Sequence, residues 1–190
     1  LGVPLRKGNQ RFGVMALRTY TSDVRLTTRD RDSLVLLANQ VALAIERIRS
    51  QGELVKFKLG IDQTDNAVFI TDRQGSIEYV NPGFEKIYGY SYNEVLGNTP
   101  RILKSGMVSR EEYEQFWNTL LSGSTISGEI INKTKDGRFI PILGTNSPIF
   151  SDSGSIVGFL AVHQDITERK LSEQALQRRN AYLAASSEIG

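Results

Sequence analysis

The chain has 190 residues, 39% of them hydrophobic, so it can bury a real core, and its net charge of +2 gives no sign of nucleic acid or membrane partners. It contains no cysteine, which excludes disulfides, thiol nucleophiles and Cys-ligated metal sites and suits a reducing compartment. No apolar run reaches membrane-spanning length and no signal peptide is visible, so we expect a cytoplasmic protein.

The first part of the chain predicts a hairpin followed by a long helix. "VPL" and "FGVMALRTY" (12–20) have strand composition, with "RKGNQ" between them. A helix should follow from Thr28 or Asp30, either of which is a suitable N-cap. Because the chain opens without Met, we interpret it as a piece of a longer protein.

This helix carries a regular apolar spacing. Leu34, Val41, Ile48 and Val55 lie seven residues apart, which is typical of a parallel coiled coil. We therefore expect a homodimer through the flanking helices. The alternative is that these side chains pack against their own domain.

The middle of the chain predicts a hairpin and then short helices. "AVFITD" (67–72) and "SIEYVN" (76–81) are strands with Gly75 at the turn. Pro82, capped by Asn81, fits the first turn of a short helix.

Two capping boxes place the next helices. Ser91 with Glu94 and Ser109 with Glu112 have the required three-residue spacing, and an amphipathic helix follows over 109–123. Three strands follow, "ISGEIINKTK", "RFIPILGTNSPIF" and "GSIVGFLAVHQ", and then a charged helix. The order predicts an α+β fold: a five-stranded antiparallel sheet with short helices on one face, flanked by long N- and C-terminal helices.

That order resembles a PAS domain of the bacterial sensor-kinase type, near the NifL-like redox sensors, over residues 61–168. The resemblance rests on "FITDRQGSIEYVNPGFEKIYGY", "EVLGNTPRILKSG", "GEIINKTKDG" and the terminal "DIT". Residues 1–49 resemble the C-terminal fragment of a GAF domain, through "GVPLRKGNQRFGVMAL" and "DSLVLLANQVALAIER". We interpret 50–60 as a linker helix and 169–190 as an output helix.

In PAS domains the last core strand feeds a signalling helix through the "DIT" element, here Asp165, Ile166 and Thr167. Asp165 can cap the helix, and Glu168 three residues later can reach back to the cap, so the junction needs no glycine and is short and stiff. We expect these four residues to transfer a signal. A helix cap without a signalling role is the alternative.

The resemblance also implies a sheet-backed cavity whose ligand is unknown, with a flavin such as FAD as one candidate. Asn132 matches a flavin-binding asparagine of LOV domains, His163 matches a histidine of NifL-type domains, and Thr99 stands where LOV domains carry another asparagine. Against a flavin, Ile142 replaces a second such asparagine and Ile126 replaces a tryptophan common in this branch.

Other chemistries have less support. Haem in this family needs a histidine on the helix before the third strand, and 109–122 has none. Pro100 stands where LOV domains carry their reactive cysteine, so photoadduct chemistry is excluded. The structural alternatives are a satisfied core histidine at His163, a backbone bond in the adjoining turn for Asn132, and core packing for Trp117.

No catalytic or metal-binding pattern is present: the sequence contains no Walker loop, HExxH or GxSxG. We expect a non-enzymatic sensory and relay module that passes a ligand or redox signal to its C-terminal helix. A histidine kinase is the expected parent protein and a diguanylate cyclase is an alternative. A ligand-free PAS domain that serves only dimerisation and relay also remains open.

Overall fold

A computed structural model describes residues 1–21, 23 and 25–187. It divides into two compact units, Leu1–Leu59 and the part from Gly60 onward. The last three residues of the predicted output helix, 188–190, lie outside the described residues. Within the described part of the chain, no helix combines the length and the apolar character that crossing a membrane requires.

The first unit contains a hairpin and a long helix. Strands β1 (Gly2–Lys7) and β2 (Gln10–Ala16) pair antiparallel, and helix α1 (Thr28–Asp62) begins in this unit and ends with the first residues of the second. The α1 cap is Thr27 rather than the predicted Thr28 or Asp30: the Thr27 backbone N–H donates to Asp30 Oδ2 at 2.7 Å, and the Asp30 N–H donates to Thr27 Oγ1 at 3.3 Å. The GAF interpretation of this segment stays a prediction.

The second unit confirms the predicted α+β fold. Its five strands form one antiparallel sheet in the order β4-β3-β7-β6-β5. The elements are β3 (Ala67–Asp72), β4 (Ile77–Val80), α2 (Pro82–Tyr88), α3 (Tyr92–Val95), a 3₁₀ helix (Pro100–Leu103), α4 (Arg110–Leu121), β5 (Ile126–Lys133), β6 (Phe139–Phe150), β7 (Ile156–Asp165) and α5 (Thr167–Ser187).

Strand β7 lies at the centre of this sheet, between β3 and β6. His163 stands opposite Ala67 on β3 and opposite Gly144 on β6. Because side chains alternate along a strand, Phe159, Ala161 and His163 share one face, and all three are buried. That face carries the core and the candidate site.

Asn81 holds the start of α2 against the sheet. Its Oδ1 accepts from the N–H of Val68 at 2.7 Å and of Phe84 at 2.9 Å. Its Nδ2 donates to the carbonyls of Ile61 at 2.9 Å and Asn66 at 3.0 Å. Asn81 is fully buried, and these four bonds use its full polar capacity at this position. The predicted cap is therefore confirmed, and it also fixes the end of α1.

Candidate ligand-binding site and output junction

The sheet, the 3₁₀ helix and α4 line a cleft of about 1760 Å³ that is open to solvent. Its apolar wall includes Trp117, whose ring packs edge-on against Phe159 with centroids 5.6 Å apart. Trp117 also covers the β3–β4 turn, because a Cβ built at Gly75 would lie 3.2 Å from its ring. Trp117 thus packs as predicted and also faces the cleft.

Two glycines leave a gap between side chains on the sheet face that carries the cleft-lining residues Ile126, Ile130 and Asn146. Gly128 on β5 and Gly144 on β6 stand directly opposite each other. A Cβ at Gly144 would lie 3.2 Å from His163 Nε2, whereas a Cβ at Gly128 would meet nothing within 4 Å. Glycines in a strand often mark a place where a ligand approaches the backbone, and this pair fits that role.

A buried chain of polar side chains stands at the deep end of the cleft. Tyr88, the last residue of α2, places its Oη 2.7 Å from His163 Nδ1. Asn132 Nδ2 donates to the same Oη at 2.8 Å. Tyr88 is completely buried, while Asn132 and His163 line the cleft. The structure thus brings together two of the three predicted ligand-binding residues, through a residue that the sequence did not single out.

Thr99, the third predicted residue, lines the same cleft from the start of the 3₁₀ helix. The hydrogen-bonded chain does not include it. The 3₁₀ helix nevertheless borders the site, because Lys104 at its end forms an isolated antiparallel bridge with Asn132.

The structural alternative for Asn132, a backbone bond in the adjoining turn, is wrong. Its amide binds Tyr88, and Thr134 makes the turn contact instead, donating from Oγ1 to the Arg138 carbonyl at 3.1 Å. The structural alternative for His163 was a core histidine with satisfied polar atoms. It holds for Nδ1, whose partner is the Tyr88 hydroxyl.

Burial keeps both ring systems of this chain neutral. Desolvation lowers the pKa of His163 to about 4. Desolvation also raises the pKa of the Tyr88 hydroxyl, and the nearby Asp165 carboxylate acts in the same direction. At neutral pH the deep end of the cleft therefore offers hydrogen bonds rather than a charge.

The junction to α5 is as short as predicted, but its bonds differ in one respect. Asp165 Oδ1 accepts from the Thr167 N–H at 2.8 Å and from Thr167 Oγ1 at 2.5 Å. The described residues show no hydrogen bond from the Glu168 carboxylate back to Asp165, and α5 begins at Thr167 itself. The buried Ile166 completes the junction by donating its N–H to the Pro141 carbonyl at 3.0 Å.

A second contact holds α5 to the sheet. Glu129 on β5 lies 2.6 Å from Arg169 Nη2 and 2.5 Å from Lys170 Nζ, and these three residues form what we call the Glu129 ion-pair cluster. The hydrogen bond from Lys170 is the main cause that lowers the pKa of the Glu129 carboxyl. Sequence reasoning missed this cluster.

The second unit is thus a five-stranded antiparallel sheet that lines a cleft and continues from its central strand into a helix. The sequence profile of the PAS domain family matches residues 65–168, more than half of the chain. The chain therefore belongs to the PAS domain family.

Relatives include regulatory proteins and kinases. The chain is 30% identical over 151 residues to a nitrogen fixation regulatory protein of Klebsiella pneumoniae, covering 80% of this chain and 30% of that protein. It is 24% identical over 191 residues to the methanogenesis regulatory histidine kinase FilI of Methanothrix harundinacea, covering 92% of this chain and 21% of the kinase. The chain thus spans less than a third of the length of these curated relatives.

Solved structures agree on the fold. The PAS domain of a protein from Colwellia psychrerythraea is similar with a TM-score of 0.53 and 29% identity, covering 60% of this chain and 98% of that one. An RNA-binding light-oxygen-voltage receptor has a TM-score of 0.59 at 24% identity, covering 69% of this chain and 37% of the receptor, and this likeness concerns the fold alone.

Proposed function

We propose that this chain is a non-enzymatic sensory and relay segment of a cytoplasmic, multidomain bacterial signalling protein, with a histidine kinase as its parent. The observation that supports this most strongly is the position of His163. It lines the cleft on the same strand that ends at Asp165, two residues later, where α5 is attached. A ligand that binds in the cleft can therefore act on the strand that carries the output helix.

In this mechanism a bound ligand changes the hydrogen bonding of His163 and shifts β7 slightly. The shift biases the junction at Asp165, Ile166, Thr167 and Glu168 and so repacks α5, a single element with two arrangements. Asp165→Ala removes the carboxylate that accepts from Thr167. In the full-length protein this variant should uncouple ligand from output while the domain stays folded. Regulation equal to that of the wild type would contradict the mechanism.

A flavin is the first ligand to test. The cleft is large enough for one, and the two atoms on its deep polar edge, Asn132 Oδ1 and His163 Nε2, have no bond to another described residue. They would hold the ring edge, and a flavin would supply redox sensing. Against it, Ile142 is completely buried in the core and offers no polar group.

The visible absorption spectrum of the freshly purified full-length protein tests this directly. A flavin band that disappears with heat release and reappears as free flavin on chromatography would support a redox or flavin sensor. A colourless protein that stays colourless after flavin supplementation would exclude a flavin and favour a colourless metabolite. The matched variants are His163→Gln, in the cleft, and Gln164→Asn, on the exposed neighbouring position.

We also propose a homodimer through α1. Leu34 is the first of the four residues with seven-residue spacing, which we call the seam. It is buried against Val3 in its own unit, so it packs internally. Further along, Ile48 is 70% exposed and Val55 is 57% exposed, and the seven-residue spacing aligns them for a second copy of the helix. Ile48→Glu should shift the protein towards monomer in analytical ultracentrifugation. The control is Arg49→Glu, an exposed neighbour outside the seam, which should leave the dimer intact.

A further inference from the structure

We infer that the deep end of the cleft binds a hydrogen-bond acceptor on a flat, uncharged part of the ligand, through the Nε2–H of His163, and that Tyr88 fixes the proton on that nitrogen. The ligand class rests on the proposed sensory function. The placement of the proton does not, and can be measured without any ligand.

The chain of polar side chains determines where the proton lies. The Asn132 amide N–H occupies a lone pair of Tyr88 Oη, so the single hydroxyl proton of Tyr88 is free to point at His163. His163 Nδ1 is then the acceptor of that proton and carries none itself. Because the ring is neutral, its own proton must sit on Nε2.

This Nε2–H faces the cleft. It has no hydrogen bond to another described residue. Among the described residues every fully buried side-chain nitrogen or oxygen does have such a bond, so Nε2 cannot be fully buried. Nε2 is therefore accessible, and the cleft is the cavity that His163 lines. At Nε2 a ligand meets a donor, so an unprotonated ring nitrogen or a carbonyl oxygen fits at this atom and an ammonium group does not, whereas the neighbouring Asn132 Oδ1 is an acceptor.

Charge and shape narrow the ligand class. A neutral imidazole cannot compensate a buried carboxylate, so the acceptor should be uncharged. The two glycines lie close to Nε2. A side chain at Gly144 would crowd His163, because its Cβ would lie 3.2 Å from Nε2, and a Cβ at Gly128 would meet no atom within 4 Å. Two strand positions without side chains, next to one donor, leave room for a flat ring to lie on the sheet with its edge at His163.

The proton position can be measured without interference, because His163 is the only histidine of the chain. We would label the full chain with ¹⁵N-histidine and record the two ring nitrogens by NMR at neutral pH. The expected spectrum shows a protonated Nε2 and an unprotonated Nδ1. Tyr88→Phe should turn this into a mixture of both forms. Tyr90→Phe is the matched control, because Tyr90 lies outside the hydrogen-bonded chain, and it should leave the spectrum unchanged. A proton on Nδ1 in the wild type would overturn the inference, even if Tyr88→Phe fails to fold.

The ligand class is tested with two flat probes of the same shape. Isoquinoline presents a ring-nitrogen acceptor and naphthalene presents none. At equal concentration isoquinoline should shift the Nε2 resonance and bind at least about tenfold more tightly, which corresponds to one good hydrogen bond. Gly144→Ala should abolish the difference. Equal binding of the two probes, or binding of neither, would overturn the ligand class.

These outcomes are separable from a failure of the proposed function. If Asp165→Ala leaves regulation unchanged, the relay is wrong while the proton position stands. If the proton lies on Nδ1, the inference about His163 is wrong while the relay stands.

Discussion

Acidification from about pH 7 to about pH 5 should destabilise the unit that begins at Gly60 by about 2 kcal/mol, and His163 should be the cause. The pKa of this histidine is about 4 in the folded protein, against 6.5 for the unperturbed group. Below pH 6.5 the histidine becomes protonated in the unfolded chain, whereas in the folded protein it becomes protonated only near pH 4. His163 therefore leaves the stability unchanged above 6.5, where it is neutral in both states, and the free energy of unfolding falls by about 1.4 kcal/mol for each pH unit between 6.5 and about 4.

Among the described side chains that contact His163, no other changes its charge in this range. Tyr88 and Asn132 stay neutral, and Phe69 on β3 packs edge-on against the ring at 5.0 Å. The carboxyls whose pKa is held lowest, at about 2, are Glu94, through Lys135, and Asp136, through Thr134. The stability that these two carboxyls contribute is lost only when the pH falls below the pKa values of carboxyls in the unfolded chain. They therefore do not add to the loss of stability between pH 7 and 5.

Urea unfolding followed by the fluorescence of Trp117, the only tryptophan, measures this unit directly. His163→Gln removes the titrating group and should give a free energy of unfolding that hardly changes over the same range. A wild-type protein with a flat profile, or a His163→Gln variant with the wild-type slope, would refute the reasoning. Should the variant not fold, NMR of the single histidine answers the question, because its ring should stay neutral down to about pH 5.

Three further variants test the packing and the attachment of α5. Asn81→Ala should lower the free energy of unfolding by about 3 kcal/mol in urea, because it leaves buried backbone groups unsatisfied, and a loss below about 1 kcal/mol would contradict this. Gly158→Ala should cost about 1–3 kcal/mol in the same assay, because its Cβ would lie 2.2 Å from the Thr71 carbonyl, whereas Gly60→Ala, with open space around it, should be neutral or stabilising. Glu129→Gln should speed hydrogen exchange in the first turns of α5, and unchanged exchange there would show that the Glu129 ion-pair cluster does not hold the helix.

The strands and caps of the second unit could be predicted because their signals are local. Strand β3 begins and ends as predicted, at residues 67 and 72. Ser109 and Glu112 form the predicted capping box, with the Ser109 N–H donating to the Glu112 carboxylate at 2.8 Å. Such contacts link residues three or four apart, so the order of residues is enough to find them.

The contact between Tyr88 and His163 could not be found in this way, because the two residues are 75 positions apart. Tyr88 looks like the last apolar residue of a short helix, and only the packed fold shows that its hydroxyl is buried and needs a partner. The Glu129 ion-pair cluster joins residues about 40 apart and has the same limitation. The one sequence signal for Tyr88 is its type: a buried tyrosine usually has a hydrogen-bond partner, and a search for one among distant polar residues would include His163.

The position of the strands adds a second possible route, through β5, to the proposed relay. Strand β7 pairs with a neighbour on each side, whereas β5 is an edge strand that pairs with β6 and has in addition only the isolated bridge between Asn132 and Lys104 among the described residues. Asn132 on β5 faces the cleft and Glu129 holds α5 from the opposite face, so a ligand that pulls Asn132 can move the helix through β5. A cycle of Asp165→Ala, Glu129→Gln and the double variant, read as ligand-dependent output of the full-length protein, separates the two routes. Independent routes predict additive losses, and a double variant no worse than Asp165→Ala alone would place the whole signal on β7.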